Sequence, residues 1–259
     1  MTVELRRSTT VPVAQLAELF NRAYEGYVIP FRVDEQIVAL MNDLYDIDRE
    51  ASRVAFDGDE AVGLGNLGVR GEEGWIGGVG VVASARRHRL GEALMQALHE
   101  EARRRGVRRV WLEVIDRNES AFRLYEKLGY DVVRELEVWS LEAGPAFDGA
   151  GEVPVDEARR RLATLRRRRE PWQRADATLD HISDLEAAAT DAGAAVYRTS
   201  NVTQLLQIAG GDAETLLRTL RSRGNVVVLN LPTDDAATEA FRALGGTVTV
   251  RQREMVLEL

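Results

Sequence analysis

A basic loop set between an apolar run and an amphipathic helix constrains this chain more than any other feature. The loop is Arg86-Arg87-His88-Arg89-Leu90-Gly91-Glu92. Before it stands Ile76-Gly77-Gly78-Val79-Gly80-Val81-Val82, which reads as a buried strand, and after it Leu90, Leu94 and Leu98 fall on one helical face. A strand that enters a helix through a tight loop aims several unpaired backbone N–H groups at one point. The helix dipole and adjacent guanidinium groups then favour an anion there, so the unit reads as a phosphate cradle. A second unit comes later in the chain. Val110-Trp111-Leu112-Glu113-Val114 reads as another buried strand, and Asn118 and Ala121 lead into Leu124-Tyr125-Glu126-Lys127-Leu128-Gly129-Tyr130, a short helix closed by a glycine.

Together the two units resemble the GNAT family of acyl-CoA-dependent N-acetyltransferases, and the resemblance covers residues 1–141. The family's loop pattern is Arg or Gln, two residues, Gly, one residue, then Gly or Ala. Arg86 and Gly91 match its ends, and Arg89 stands at the middle glycine. An arginine there works against a backbone that needs positive φ, and its side chain could contact phosphates instead. The run from Asn118 through Tyr125 to Gly129 matches the family's acceptor-side and leaving-group segment without a gap. The resemblance implies an α/β (α+β) fold with a mixed, mostly antiparallel sheet flanked by helices. It also implies acetyl-CoA as donor and direct transfer, in a ternary complex, to a primary amine on a small molecule, peptide or protein.

Roles for individual residues come from the same resemblance. A bulge in the strand before the loop would free backbone N–H groups, here those of Val81, Val82 and Ala83, for the thioester oxygen and the pantetheine amides. Arg86, Arg87, His88, Arg89, Leu90, Gly91 and Glu92 would hold the pyrophosphate. Asn118 would bond cofactor amides or the loop backbone. Tyr125 is the candidate general acid, because a phenol with a reference pKa of about 10 can protonate a thiolate whose conjugate acid lies near about 8.5; otherwise it is a half-buried aromatic at a helix end. Glu113 stands where ribosomal-protein N-terminal acetyltransferases of the family carry a catalytic base, and strand alternation puts it on the side of Trp111 and Ile115. Two readings of Glu113 stay open: a base acting through water, or a surface or salt-bridged carboxylate.

The chain's 259 residues suffice for one large domain or two modest ones. With no cysteine, disulfides, thiolate metal sites and a cysteine acyl-enzyme are excluded. No apolar run approaches the roughly twenty residues that span a bilayer, and the start, Met1-Thr2-Val3-Glu4-Leu5-Arg6-Arg7, lacks a signal-peptide core, so a cytoplasmic protein without membrane association is expected. A net charge of -8 argues against nucleic acid as a partner. Arg159-Arg160-Arg161 and Arg166-Arg167-Arg168-Arg169 are interleaved with Leu162 and Leu165 and flanked by Glu157 and Glu170, and they read as a solvated helix face. His88 and His99 read as exposed and His181 lies far along the chain, so no metal site or hydrolase triad can be assembled.

Periodicity predicts helices over residues 11–27 and 35–44 and strands over 53–57 and 61–69. Gly63-Leu64-Gly65-Asn66-Leu67-Gly68 has the letters of a dinucleotide fingerprint, but a hairpin turn comes after it where a helix is required; these glycines read as a flexible or closely packed strand. Composition shifts around residues 144–153, which divides a catalytic domain, 1–143, from a second domain, 154–259. A faint repeat links the halves. Setting Leu244-Gly245 on Leu128-Gly129 brings Val226-Val227-Val228 onto Val110-Trp111-Leu112 and residues 247–257 onto 131–141. In that register Phe241 stands at Tyr125, Asp234 at Asn118 and Leu229 at Glu113, and the segment before the helix at residues 213–223 carries no arginine. The second half is therefore expected to be a smaller, degenerate, partial GNAT-like domain that supports the first, shapes its acceptor cleft or mediates dimerisation.

Residues 34–60 carry Asp34, Glu35, Asp43, Asp46, Asp48, Glu50, Asp57, Asp59 and Glu60 against Arg49 and Arg53. With Tyr24, Tyr27 and Phe31 this region corresponds to the acceptor side of the family fold. An acidic, aromatic rim favours a cationic amine, such as a polyamine, an aminoglycoside-like molecule or a peptide amine, although solvated acidic loops would look the same. Two further readings stand beside the acetyltransferase: a tandem enzyme of the mycothiol-synthase kind, with an active second domain, and a regulatory module that binds acyl-CoA without transferring the group. Family analogy also raises the expectation of a homodimer.

Overall fold

The computed structural model describes residues 3–27, 29, 32–86 and 89–259. Phe31, Arg87 and His88, candidates by sequence, lie outside the described residues. The chain divides into two compact units, residues 1–133 with 254–259, and residues 134–253.

In the first unit β1 (Val3–Arg7) is followed by α1 (Val13–Ala23), α2 (Glu35–Leu44), β2 (Arg53–Asp57), β3 (Glu60–Arg70), β4 (Glu73–Val81), α3 (Leu90–Arg104), β5 (Arg109–Ile115) and α4 (Glu119–Lys127). Next comes β6 (Asp131–Leu141), which enters the second unit after Val133. Helix α1 starts behind Pro12 and buries Leu16, Leu19, Phe20 and Ala23. It ends at Tyr24, short of the predicted residue 27, where Gly26 takes φ 71°. Asp34 caps α2 by accepting the Ile37 N–H at 2.8 Å. Gly63 and Gly65 on β3 lie under α3: a Cβ on Gly65 would come within 2.9 Å of Leu98 Cδ1, so the helix can approach only a strand without side chains there. Leu94, Met95 and Leu98 of α3 are fully buried as a result.

The second unit repeats this element order. It runs β7 (Gly151–Glu152), α5 (Val155–Leu165), a 3-10 turn at Trp172–Arg174, α6 (Asp176–Leu179), β8 (Glu186–Ala189), β9 (Gly193–Thr199), β10 (Thr203–Gly210), α7 (Ala213–Arg221), β11 (Val226–Pro232), α8 (Ala236–Ala243) and β12 (Thr247–Glu258). The repeat read from residues 226–257 thus extends back to β7, so the second copy is complete in element order. Its strands β7, β8, β9, β10 and β11 are neighbours in that order, as β1 to β5 are in the first unit.

In each unit a segment distant in sequence lies beside the last of these strands. Next to β5 stand the last residues of β12, where Leu259 N–H reaches Arg108 O at 2.8 Å and Met255 is fully buried with Val110, Leu112 and Tyr130. Next to β11 stands β6, antiparallel, with Val226 opposite Leu141 and Val228 opposite Trp139. The divisions after Val133 and Arg253 therefore differ from the boundary at 144–153 read from composition, because most of β6, which precedes that stretch, pairs with β11 beyond it.

Candidate active site

Parallel pairing of β4 with β5 covers only Glu73, Gly74 and Trp75 against Arg109, Val110 and Trp111. Beyond Trp75 and Trp111 the two strands part. At the same level β4 carries a bulge: Asn66 and Leu67 of β3 face Gly78 and Ile76, which leaves Gly77 as the extra residue. A bulge here bends β4 away from β5 and leaves an open strand edge.

The groups presented along that edge are set by the ladder. Val82 N–H donates to Val62 O at 3.0 Å, so Val82 spends its donor on β3. Alternation in an antiparallel pair then turns the N–H of Val81, and of Val79 two residues earlier, away from β3 and toward the opening. Arg86 agrees with that orientation, since its Nε donates to Val81 O at 3.0 Å and its Nη2 to Ala23 O at 3.1 Å, tying the loop to α1. Ala83 opens a 3-10 turn, Ala83–Ala85.

Arg89 takes φ 56° and ψ 19° as the residue before α3. Arginine thus adopts the left-handed conformation that its side chain was expected to resist, at a cost of about 1–2 kcal/mol. Gly91 lies within α3, and a Cβ there would meet Leu124 Cδ2 at 3.6 Å, an ordinary contact that alanine would also make. Glu92 is held by Lys127 Nζ at 2.7 Å from each carboxylate oxygen, which joins the start of α3 to the end of α4 and keeps its carboxyl below the usual carboxylate range. Asn118 caps α4, its Oδ1 accepting the Ala121 N–H at 3.3 Å.

Tyr125 on α4 is buried, not half-buried, and burial pushes its phenol well above the ordinary value. Burial also pushes the Tyr24 phenol well above the ordinary value, with Tyr125 and Tyr27 adding to the effect, and Tyr27 adds to that on Tyr125. Tyr24 stacks on Phe20 with ring centroids 4.3 Å apart and meets Tyr27 edge-on at 5.2 Å. Its ring covers β4 itself, since a Cβ on Gly78 would lie 2.7 Å from its hydroxyl and one on Gly80 would lie 2.9 Å from its Cε2. The glycines of β4 therefore admit Tyr24 to the strand. Behind Tyr125 a buried pair, His99 Nε2 and Tyr130 hydroxyl, bonds at 2.8 Å. His99 is 5 % exposed, which corrects its reading as a surface residue: it lies on the inner face of α3 with Met95 and Ala102, and burial pulls its pKa down to about 4.

Glu113 lies on the side of β5 that the alternation required, opposite Leu112 and Val114 of the core. Its Oε2 accepts the Trp75 indole N–H at 2.9 Å, and Trp75 meets Tyr45 edge-on at 5.5 Å. Neither Trp75 nor Tyr45 was attached to Glu113 from sequence, because the link is a contact between adjacent strands and a helix end. Much of the acidic segment is occupied structurally: Asp34 caps α2, Asp46 pairs with Arg70 at 2.6 Å, Asp48 with Arg105 at 3.0 Å, Glu50 with Arg7 at 3.2 Å and Glu60 with Arg22.

The second unit has the same parting of strands and a different filling. Parallel pairing of β10 with β11 ends at Leu205 and Val228, and β10 bulges at Leu206. Arg174, 1 % exposed, donates from Nε to Leu206 O at 2.8 Å and from Nη1 to Asn230 O at 3.4 Å. Gln207 Nε2 in turn donates to Arg174 O at 2.6 Å. The gap that stays open at β4 is closed here by the chain's own guanidinium. Phe241, at the position of Tyr125, is fully buried and stacks on Trp139 at 5.7 Å.

Among the described residues no helix is long and apolar enough to cross a membrane. Residues 13–130 match the family model described as acetyltransferase (GNAT) family. No curated protein matches the chain significantly. Among solved structures, a GCN5-related N-acetyltransferase from Sphaerobacter thermophilus is 18% identical with a TM-score of 0.75, over 99% of this chain and 95% of that one. A tandem GNAT protein from the clavulanic acid biosynthesis pathway is 16% identical with a TM-score of 0.65, over 99% and 98%. A GCN5-related N-acetyltransferase from Anabaena variabilis is 15% identical with a TM-score of 0.63, over 98% and 72%. At these identities the structures speak for the fold, which is the two-unit GNAT form. Similarity to the GNAT family of acetyltransferases thus rests on the match over residues 13–130 and on the shared fold.

Proposed function

We propose that the first unit is an acetyl-CoA-dependent N-acetyltransferase that passes the acetyl group directly, in a ternary complex, to a primary amine. The observation that carries this reading is the open edge of β4 beyond Trp75, with Arg86 and Arg89 at its far end, buried Tyr125 on α4 and Tyr24 over the glycines of the strand. The edge fits the donor, since the bulge leaves backbone donors without a neighbouring strand. Acetyl-CoA supplies an activated thioester, and this chain's residues do the rest.

The outward N–H groups of Val79 and Val81 would bond the pantetheine and the thioester oxygen, the role first expected of Val81, Val82 and Ala83 together. Arg86, Arg87, His88 and Arg89, with the first backbone N–H groups of α3 at Leu90, Gly91 and Glu92, would hold the pyrophosphate. Tyr125 remains a protonated phenol at neutral pH and donates its proton to the departing thiolate. Glu113, held by Trp75, takes the proton of the amine through water. Asn118 keeps the start of α4, and thereby Tyr125, in place. The acceptor is a small-molecule or peptide amine, cationic before it reacts, and residues 134–253 act as a scaffold.

A tandem enzyme active in its second half gains no support, because Arg174 fills the gap that pantetheine would need. The test is thiol release from acetyl-CoA across polyamines, aminoglycosides and peptides with free amines. Amine-dependent release is the expected result. Tight acetyl-CoA binding with no release for any of these acceptors would favour the regulatory module.

A further inference from the structure

Tyr24 reads by sequence as one aromatic of the acceptor rim; in the structure its ring lies along β4. A Cβ on Gly80 would meet the ring at Cε2 and Cδ2, 2.9 and 3.3 Å away, and one on Gly78 would meet the hydroxyl at 2.7 Å. The ring therefore runs along the strand from Gly80 to Gly78 and sets its oxygen next to Gly77, the extra residue of the bulge. At this level β4 has left β5, since their pairing ends at Trp75 and Trp111. Between the two glycines stands Val79, whose N–H faces the opening.

The end of α1 holds Tyr24 in that place. Its ring stacks on Phe20, one turn back, at 4.3 Å, and Tyr27 closes on it edge-on at 5.2 Å. Asn21 exchanges two bonds with the backbone of Val33: its Nδ2 donates to Val33 O at 2.8 Å, and Val33 N–H donates to its Oδ1 at 2.9 Å. Ala23 O accepts from Arg86 Nη2 at 3.1 Å, and Arg86 Nε donates to Val81 O at 3.0 Å, so one guanidinium joins the last turn of α1 to the strand beneath it. Among the described residues no hydrogen bond takes up the Tyr24 hydroxyl. Burial pushes this phenol well above its ordinary value, so the proton stays on oxygen at neutral pH and the hydroxyl is a donor.

We propose that Tyr24 is a further catalytic residue: its hydroxyl donates a hydrogen bond to the carbonyl oxygen of the acetyl group, alongside the N–H of Val79. The inference rests on the acetyltransferase reading above. When the amine nitrogen attacks the thioester carbon, the C–N bond forms, the carbonyl π pair moves onto oxygen, and the amine's proton leaves through water to Glu113. Two donors then face the oxyanion, one from the strand edge and one from the α1 face of the strand. When the C–S bond breaks, the oxygen pair re-forms the carbonyl, the thiolate takes its proton from Tyr125, and Tyr24 keeps its own. Because α1 fixes the hydroxyl before acetyl-CoA arrives, no reorganisation is needed as the charge grows.

The full chain, Tyr24→Phe and Tyr125→Phe would be compared in turnover with the best amine acceptor, in calorimetric Kd for acetyl-CoA, and in the infrared carbonyl band of bound acetyl-CoA isotope-labelled at that carbon. Phenylalanine keeps the stacking on Phe20 and the cover over β4, so the melting temperature should not change. Tyr24→Phe should lower kcat about 10²–10³-fold, the scale of a lost oxyanion donor, with the amine KM and the acetyl-CoA Kd within about twofold of the intact chain. The band should move to higher frequency in Tyr24→Phe and stay in place in Tyr125→Phe. A kcat within about threefold of the intact chain, a loss confined to acetyl-CoA affinity, or a band that stays in place in Tyr24→Phe would overturn the inference. An intact chain that binds acetyl-CoA but releases no thiol with any amine would contradict the acetyltransferase reading alone, and the band comparison would still decide whether Tyr24 touches the carbonyl. A chain that does not bind acetyl-CoA would overturn both.

Discussion

Tyr24, Tyr125, Glu113 and His99 owe their properties to what surrounds them. Tyr125 and Glu113 were legible as candidates because the loop and the segment after it fix where such residues must fall. Their environments were not legible, because Tyr24 over Gly78 and Trp75 on Glu113 are contacts between elements distant in sequence. The glycines of β4 were the one available hint of Tyr24's approach. If Glu113 is the base, Glu113→Gln should abolish the acidic limb of the pH–rate profile and lower kcat at least about tenfold; a profile that keeps its acidic limb would leave Glu113 a structural partner of Trp75. His99 gives a prediction about stability. Its folded pKa, about 4, lies below the unfolded value of 6.5, so its contribution is fully present above pH 6.5 and is lost as pH falls through 4. Up to about 3 kcal/mol is at stake. Melting measured from pH 7 to 4 should show this loss, and His99→Gln should flatten it.

At the scale of elements, local pattern was a good guide to type and a poor guide to neighbours. Helix α2 and strand β2 have the bounds that periodicity gave, and β12 was expected one residue shorter than it is. Which strand lies beside β5 could not be read, because alternation identifies a strand without naming its partner. The arginine run was misjudged for a related reason: helical spacing persists past Leu165, but the residue before Pro171 is driven out of helical conformation, and the chain leaves the helix before it. The tail of β12 supplies a test. Deleting residues 254–259 removes buried Met255 and the packing of Leu257 and Leu259 from the core of Tyr125 and Tyr130, and should destabilise the first unit by about 3–5 kcal/mol. A fragment of residues 1–143 lacks the same strand. Should it melt at the temperature of the intact chain, the division after Arg253 would be wrong.

For the whole molecule, one element order serves twice with opposite outcomes. In the first unit the parted strands leave backbone donors on an open edge, and in the second Arg174 and Phe241 occupy the corresponding places. The register seen in sequence sets Phe241 at Tyr125 and Leu229 at Glu113. It did not foretell the plug, which comes from a turn between α5 and α6 with no periodic signature. Catalysis by the first unit alone is the central claim. Its most direct test compares turnover and acetyl-CoA affinity in the intact chain and in Tyr125→Phe, measured with the best amine acceptor. The account predicts a loss of at least about tenfold in kcat, the scale of a lost general acid, with a nearly unchanged Kd for acetyl-CoA; equal turnover in the two proteins would contradict it.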